Sequence, residues 1–229
     1  MASENRETRS NSPYSATSVN RALNFNRDYF RLRDYYETWS SDYDNDVSEE
    51  NYCGPKIISN LLTALLGNAQ IASRKFHNPV RIMDACCGTG LVGKELSKRG
   101  FSIIDGCDLS PAMTELARKT QSYKELYGGV DLTERNNSIA ENQYDATVCC
   151  GAFIEGHLPI DAIHELIRIT APGGILLFST RCSFYEAEGF SSLLDSLVAE
   201  QKMAPLQSLM EAPYLDGVHA HYLAFAVIK

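Results

Sequence analysis

The sequence predicts an α/β protein. Its sheet is seven-stranded and mostly parallel, with helices on both faces and an antiparallel C-terminal hairpin. Three observations carry this. From Val80 onward, short apolar strand patterns alternate with amphipathic helical ones, as in parallel sheets covered on both sides. The first strand runs through a glycine-rich turn, Gly88-Thr89-Gly90-Leu91-Val92-Gly93, straight into a helix. The last two strands are joined by so short a segment that they pair only as a hairpin.

Taken in order, residues 1–20 are polar and aperiodic, and are expected to be a disordered tail. Residues 21–70 are expected to form a helical lid or cap segment packed on the core. Tyr29, Leu32, Tyr36 and Trp39 follow the 3–4 spacing of a helical stripe, which suits packing, a lid over a ligand, or both. An acidic turn from Ser41 to Asp46 follows. Pro55 then opens a helix, Lys56 to Leu66, that Gly67 ends.

The core domain spans residues 71–229. Its strands are expected at 80–84, 101–107, 126–130, 144–150, 175–179, 206–210 and 221–228. Its helices are expected at 94–99, 111–119, 161–170 and 190–201. Gly100 stops the first helix, Pro111 opens the second, and Gly173-Gly174 turns the chain into the fifth strand.

Composition narrows the class. A 44% hydrophobic and 22% charged chain of 229 residues supports one globular domain with an ordinary core. No apolar run approaches the ~18 residues of a membrane span. The N-terminus lacks an apolar signal core, and Glu4 and Glu7 argue against a transit peptide, so a cytoplasmic protein is expected. The seven cysteines form no C-x-x-C pair and no metal-ligand spacing. They read as buried free thiols in a reducing compartment, with no metal site. Net charge is −8; residues 1–35 hold six Arg against four acids, +2, which leaves −10 for the rest. An acidic body does not attract phosphate backbones, so nucleic acid is not the expected partner.

The glycine turn suggests the chemistry. Read literally it is G-x-G-x-x-G, a dinucleotide pattern. Asp84, at the end of the first strand, argues otherwise: a carboxylate there repels a pyrophosphate and suits a cationic amino group, such as that of S-adenosylmethionine. The segment resembles the acidic-x-G-x-G-x-G motif of class I S-adenosylmethionine-dependent methyltransferases. Cys86 stands at the first glycine, where its Cβ resists positive φ; Gly88 and Gly90 follow. The expected C-terminal hairpin also favours this fold, a Rossmann-like one, over a dinucleotide dehydrogenase.

Asp108 ends the second strand, 20 residues after Gly88. A carboxylate there can accept from both hydroxyls of a ribose; alternatively Asp108 or Ser110 caps the helix that Pro111 opens. Leu109 and Met113 are placed to flank an adenine ring or to fill core. Asp131 with Leu132 can meet an adenine edge or simply make a turn. Gly151, after the fourth strand, leaves room for a substrate or for the methionine end of the cofactor. This edge has neither the Asn/Asp-Pro-Pro-Tyr/Phe mark of nucleobase amine methyltransferases nor the Pro-Cys of cytosine C5 enzymes. Glu155 and His157 are the candidates for a general base, or else loop residues. His219 and His221 are weaker candidates, and His164 reads as surface.

A nearer resemblance runs from Tyr36 to the last strand. It rests on Tyr36-Glu37-Thr38-Trp39-Ser40-Ser41-Asp42-Tyr43-Asp44, Tyr52 and Pro55, Asp84 to Val92, Asp108 to Met113, Gly151 to Pro159, and Pro172 to Arg181. These segments resemble the methyltransferase-like protein 27 (Williams–Beuren syndrome critical region methyltransferase-like) family. The resemblance implies a class I fold, S-adenosylmethionine as cofactor and S-adenosylhomocysteine as product. It also implies that Tyr43 closes over the methionine end of the cofactor. The expected activity is methyl transfer to the N or O of a small molecule by in-line displacement. An NAD(P)-binding oxidoreductase and a non-catalytic cofactor-binding scaffold are the alternatives.

Overall fold

The computed structural model describes Phe25 and residues 28–68, 76–187 and 189–229. The expected tail at 1–20 lies outside these residues. Three helices precede the sheet: α1 (Tyr29–Trp39), α2 (Tyr43–Glu49) and α3 (Gly54–Gly67). Then follow β1 (Arg81–Ala85), α4 (Leu91–Lys98), β2 (Ile103–Asp108), α5 (Pro111–Lys119), β3 (Leu126–Gly128) and β4 (Tyr144–Phe153). A 3₁₀ turn at Ile160–Ala162 leads into α6 (Ile163–Ile169) and β5 (Thr170–Arg181). The chain ends with α7 (Cys182–Ala187), α8 (Phe190–Ala199), β6 (Met203–Pro205), β7 (Leu209–Leu215) and β8 (Val218–Val227).

The sheet runs β3-β2-β1-β4-β5-β8-β6, with β7 also pairing β8. Strands β1 to β5 are parallel; β8 is antiparallel to β5, β6 and β7. The chain steps outward from β1 to β2 and β3, then crosses back to β4 on the other side of β1. This reversal leaves a crevice beyond the carboxyl ends of β1 and β4, where open α/β sheets bind ligands.

Alternation along the strands builds both cores. On one face Ile82, Ile104, Ala146, Val148, Ile175 and Leu177 meet Ile58, Leu62 and Leu65 of α3. On the other, Met83, Ala85, Cys107, Cys149, Leu176 and Phe178 meet Ile163 and Leu166 of α6 and Phe190 and Leu194 of α8. Full burial of one such side chain stabilises by roughly 1.5–3 kcal/mol. Each strand therefore holds both helical layers at once.

Two expectations are corrected. No single strand spans the segment expected at 206–210: β6 ends before it at Pro205, β7 begins within it at Leu209, and the two stand in line along the outer side of β8 in a sheet of eight strands. Pro205 and Pro213 stand in these edge strands, where a missing N–H costs no ladder bond. Gly173-Gly174 is not a turn before β5 but an irregularity inside it: the pairing jumps from Tyr144–Thr170 to Ala146–Ile175. A Cβ on Gly174 would come within 2.8 Å of the carbonyl oxygens of Ala171 and Asp145, so the bulge needs glycine there.

Candidate active site

The crevice at the end of β1 holds a cavity of about 770 Å³, part of it open to solvent. The loop entering it takes left-handed backbone angles, with Cys86 at φ 57°, Gly88 at 52° and Gly90 at 91°. Cys86 thus adopts the conformation its Cβ resists, a local strain of the kind found at binding sites. Gly90 starts α4 and packs closely on α5: a Cβ there would lie 3.1 Å from Ala117 Cα.

Asp108 is the centre of the cleft. Its Oδ2 accepts from Gly88 N–H at 2.9 Å, and its Oδ1 accepts from Ser110 N–H at 2.9 Å. The helix cap is Ser110, whose hydroxyl accepts from Met113 N–H, so the carboxylate of Asp108 is free to face the cavity that it lines. Burial pushes its pKa up to about 6, against the lowering effect of the two amides. Asp84 is 1% exposed. Its Oδ2 accepts from Tyr123 O–H at 2.6 Å, while its Oδ1 is buried without a partner among the described residues. Burial lifts Asp84 to about 7.

Leu109, Met113, Asp131, Leu132 and Gly151 also line the cavity. Asp131 is a turn residue as well: its Oδ1 accepts from the N–H and the hydroxyl of Thr133. Gly151, at φ 81°, lies so close to two tyrosines that a Cβ would come within 2.9 Å of both the Tyr52 and Tyr214 hydroxyls. Asp84, Gly90 and Glu155 are not among the lining residues.

The first two helices close the cleft from above. Leu32, Arg33, Tyr36 and Tyr43 line it, and Trp39 stacks on Tyr36. Polar contacts tie these helices to three different parts of the core. Glu37 accepts from the Ser110 hydroxyl and from Ala112 N–H, placing a carboxylate at the N-terminus of α5, where the helix dipole favours it. Asp44 accepts from the Thr89 hydroxyl and pairs with Lys94. Tyr36 meets His157 at 2.8 Å.

His157 Nδ1 lies 2.9 Å from the Glu155 carbonyl oxygen, which can only accept. Nδ1 therefore carries the proton, and Nε2 accepts from Tyr36 O–H. Burial lowers the His157 pKa to about 4. Glu155 Oε1 accepts from the Ser183 hydroxyl. The structure thus brings His157 into the cleft and leaves Glu155 beside it. Tyr36 belongs to the helical stripe, and Tyr36, Glu37 and Asp44 all fall in the segment that resembles the methyltransferase-like protein 27 family, but neither signal assigns their contacts in the cleft.

This cleft fits the adenosyl cofactor. Asp108 offers acceptors for vicinal hydroxyls, the left-handed loop lets the backbone come close, and Asp84 Oδ1 is an orphaned buried acceptor. Among the described residues, no cluster of His, Cys, Asp or Glu could hold a metal ion, and no helix is long and apolar enough to cross a membrane.

Residues 82–174 match the family model for a methyltransferase domain, and the fold is similar to that of class I S-adenosylmethionine-dependent methyltransferases. The chain is 35% identical over 147 residues to methyltransferase-like protein 27 of Homo sapiens, covering 64% of this chain and 56% of that one. To the putative methyltransferase YqeM of Bacillus subtilis it is 34% identical over 125 residues, covering 53% and 49%. The matches thus span about half the length of these relatives. Among solved structures, magnesium protoporphyrin IX methyltransferase from Synechocystis PCC 6803, with S-adenosylmethionine bound, superposes with a TM-score of 0.63 at 16% identity, covering 88% and 97% of the two chains. That likeness is one of fold.

Proposed function

We propose that the chain is a cytoplasmic S-adenosylmethionine-dependent methyltransferase that transfers a methyl group to an O or N nucleophile of a small molecule. The observation that carries the reading is Asp108, held by Gly88 and Ser110 amides at the switch point of the sheet with its carboxylate on the cavity. In this reading Asp108 accepts from the ribose, and Leu109, Met113 and Leu132 hold the adenine. Gly88 and Cys86 bring the backbone close, Asp84 offsets the amino group, and Tyr43 covers the methionine end. S-adenosylmethionine supplies an electrophilic methyl on a sulfonium.

The chain's own part is alignment and exclusion of water. Helices α1 and α2 cover the cleft, and Gly151 leaves the approach to the methyl open. His157, neutral and held by Tyr36, orients that wall. Calorimetric titration with S-adenosylmethionine, S-adenosylhomocysteine and NAD tests the reading. Micromolar binding of both adenosyl compounds with NAD silent is expected. NAD binding alone would replace it with the oxidoreductase, and silence of all three would leave no cofactor site at all.

A further inference from the structure

Beyond Gly151 lies a second, smaller chamber of about 350 Å³, partly open to solvent. Tyr36, Tyr43, Gly151 and His157 line both spaces and so form the junction between them. Trp39, Tyr52 and Tyr214 give the chamber aromatic walls. Among the described residues, Arg181, at the end of β5, is the only lining residue with a permanent charge, and no Asp or Glu lines the chamber. The arginine is 7% exposed, its guanidinium lies 5.6 Å over the Tyr214 ring, and its Nε is buried without a hydrogen-bond partner among the described residues.

A guanidinium buried without a counter-charge is costly, and its planar fork matches a carboxylate. The junction adds a second constraint. Burial pushes the Tyr36, Tyr43 and Tyr52 phenols upward, and the Cys150 thiol up to about 12. The one basic lone pair of His157 is taken by Tyr36. None of these groups is set to take a proton from an acceptor, so the chemistry suits a nucleophile that arrives already ionised.

We infer that this chamber receives a small carboxylic acid, its carboxylate against Arg181, and that a carboxylate oxygen is the atom methylated. The inference rests on the methyltransferase reading above. An oxygen lone pair forms the O–CH₃ bond as the S–CH₃ bond breaks, its electron pair staying on sulfur. One negative and one positive charge disappear together, and no proton moves. The neutral ester no longer pairs with Arg181, which favours its release.

The test uses the full chain. It is titrated first with S-adenosylhomocysteine, then, saturated with it, with phenylacetate, 3-phenylpropionate and hexanoate, each beside its amide. The acids are expected to bind about tenfold or more tighter than the amides, as for hydrogen bonds to a charged group. Arg181→Met is expected to erase that preference with S-adenosylhomocysteine binding intact, and Arg181→Lys to keep part of it. With methyl-labelled S-adenosylmethionine the product is expected to be an ester, from which alkali returns the acid. Equal binding of acid and amide, or an alkali-stable methyl product, would overturn the inference. So would loss of S-adenosylhomocysteine binding in both Arg181 variants, which would make the arginine structural. Failure of the parent chain to bind S-adenosylhomocysteine would instead sink the methyltransferase reading.

Discussion

Tyr36 donates its hydroxyl proton to Nε2 of His157 across 2.8 Å, joining the first helix to the loop after β4. The Glu155 carbonyl fixes the imidazole tautomer, and the bond from Tyr36 spends its only lone pair. Tyr36→Phe leaves that buried nitrogen without a donor, a loss of about 1–3 kcal/mol. A lowered midpoint in chemical denaturation checks this. If the midpoint does not move, the two helices are held by other contacts.

His157 also predicts a pH dependence of stability. Its pKa is about 4 in the folded chain against an ordinary 6.5. Between these values the unfolded chain binds the extra proton, so stability is present above about pH 6.5 and is lost as pH falls toward 4. Replacing His157 by Gln is expected to flatten the melting temperature across that window relative to the parent.

Asp84 has the opposite sign. Burial raises it to about 7, from an ordinary 3.8. The folded chain therefore holds the proton more tightly, and the stabilisation, complete below about pH 3.8, is lost as pH rises through about 7. Asp84→Asn keeps an oxygen for Tyr123 and removes the charge. It is expected to melt higher than the parent at pH 8, by about 2–4 °C per kcal/mol, and equally at pH 3. Its affinity for S-adenosylmethionine is expected to fall at the same time.

The two glycines of the loop separate space from strain. A Cβ on Gly88 meets nothing within 4 Å, whereas one on Gly90 meets Tyr123 and Ala117 at 3.0–3.2 Å. Both positions have positive φ, so both alanine variants carry a backbone cost of about 1 kcal/mol. Gly90→Ala adds overpacking of about 1–3 kcal/mol and is expected to melt clearly lower. Gly88→Ala is expected to fold nearly as well and to lose cofactor affinity, because its methyl enters the cavity. Calorimetry beside thermal melts distinguishes the two.

Asp108→Asn removes the charge from the cleft. Parent affinity for S-adenosylhomocysteine is expected to fall as pH drops through about 6, where Asp108 protonates. The variant is expected to bind about tenfold or more weakly at pH 8 and to show no such step.

The parts of this molecule that local rules govern were legible. The strand–glycine loop–helix unit, Asp108 and the antiparallel end all announce themselves within a few residues of chain. Strand ends were less so. Gly173-Gly174 reads as a turn, yet the pairing of β4 with β5 continues around it, because tertiary hydrogen bonds decide where a bulge ends. The contacts of Glu37 with α5, of Asp44 with Thr89 and of Tyr123 with Asp84 join residues 39 to 75 positions apart, and no spacing rule reaches that far. Arg181 was invisible for a further reason: a strand-end arginine is ordinarily solvated, and only the fold shows that this one is covered.

The two outer margins of the sheet have a consequence of their own. One is the three-residue β3; the other is a broken line of β6 and β7, each carrying a proline. Neither offers a neighbouring molecule a long, uninterrupted row of free amides and carbonyls, and such rows seed fibrils. The protein is therefore armoured against edge-to-edge polymerisation while its centre stays rich in β-branched and aromatic residues. Replacing Pro205 and Pro213 by threonine would remove that armour without touching the cleft.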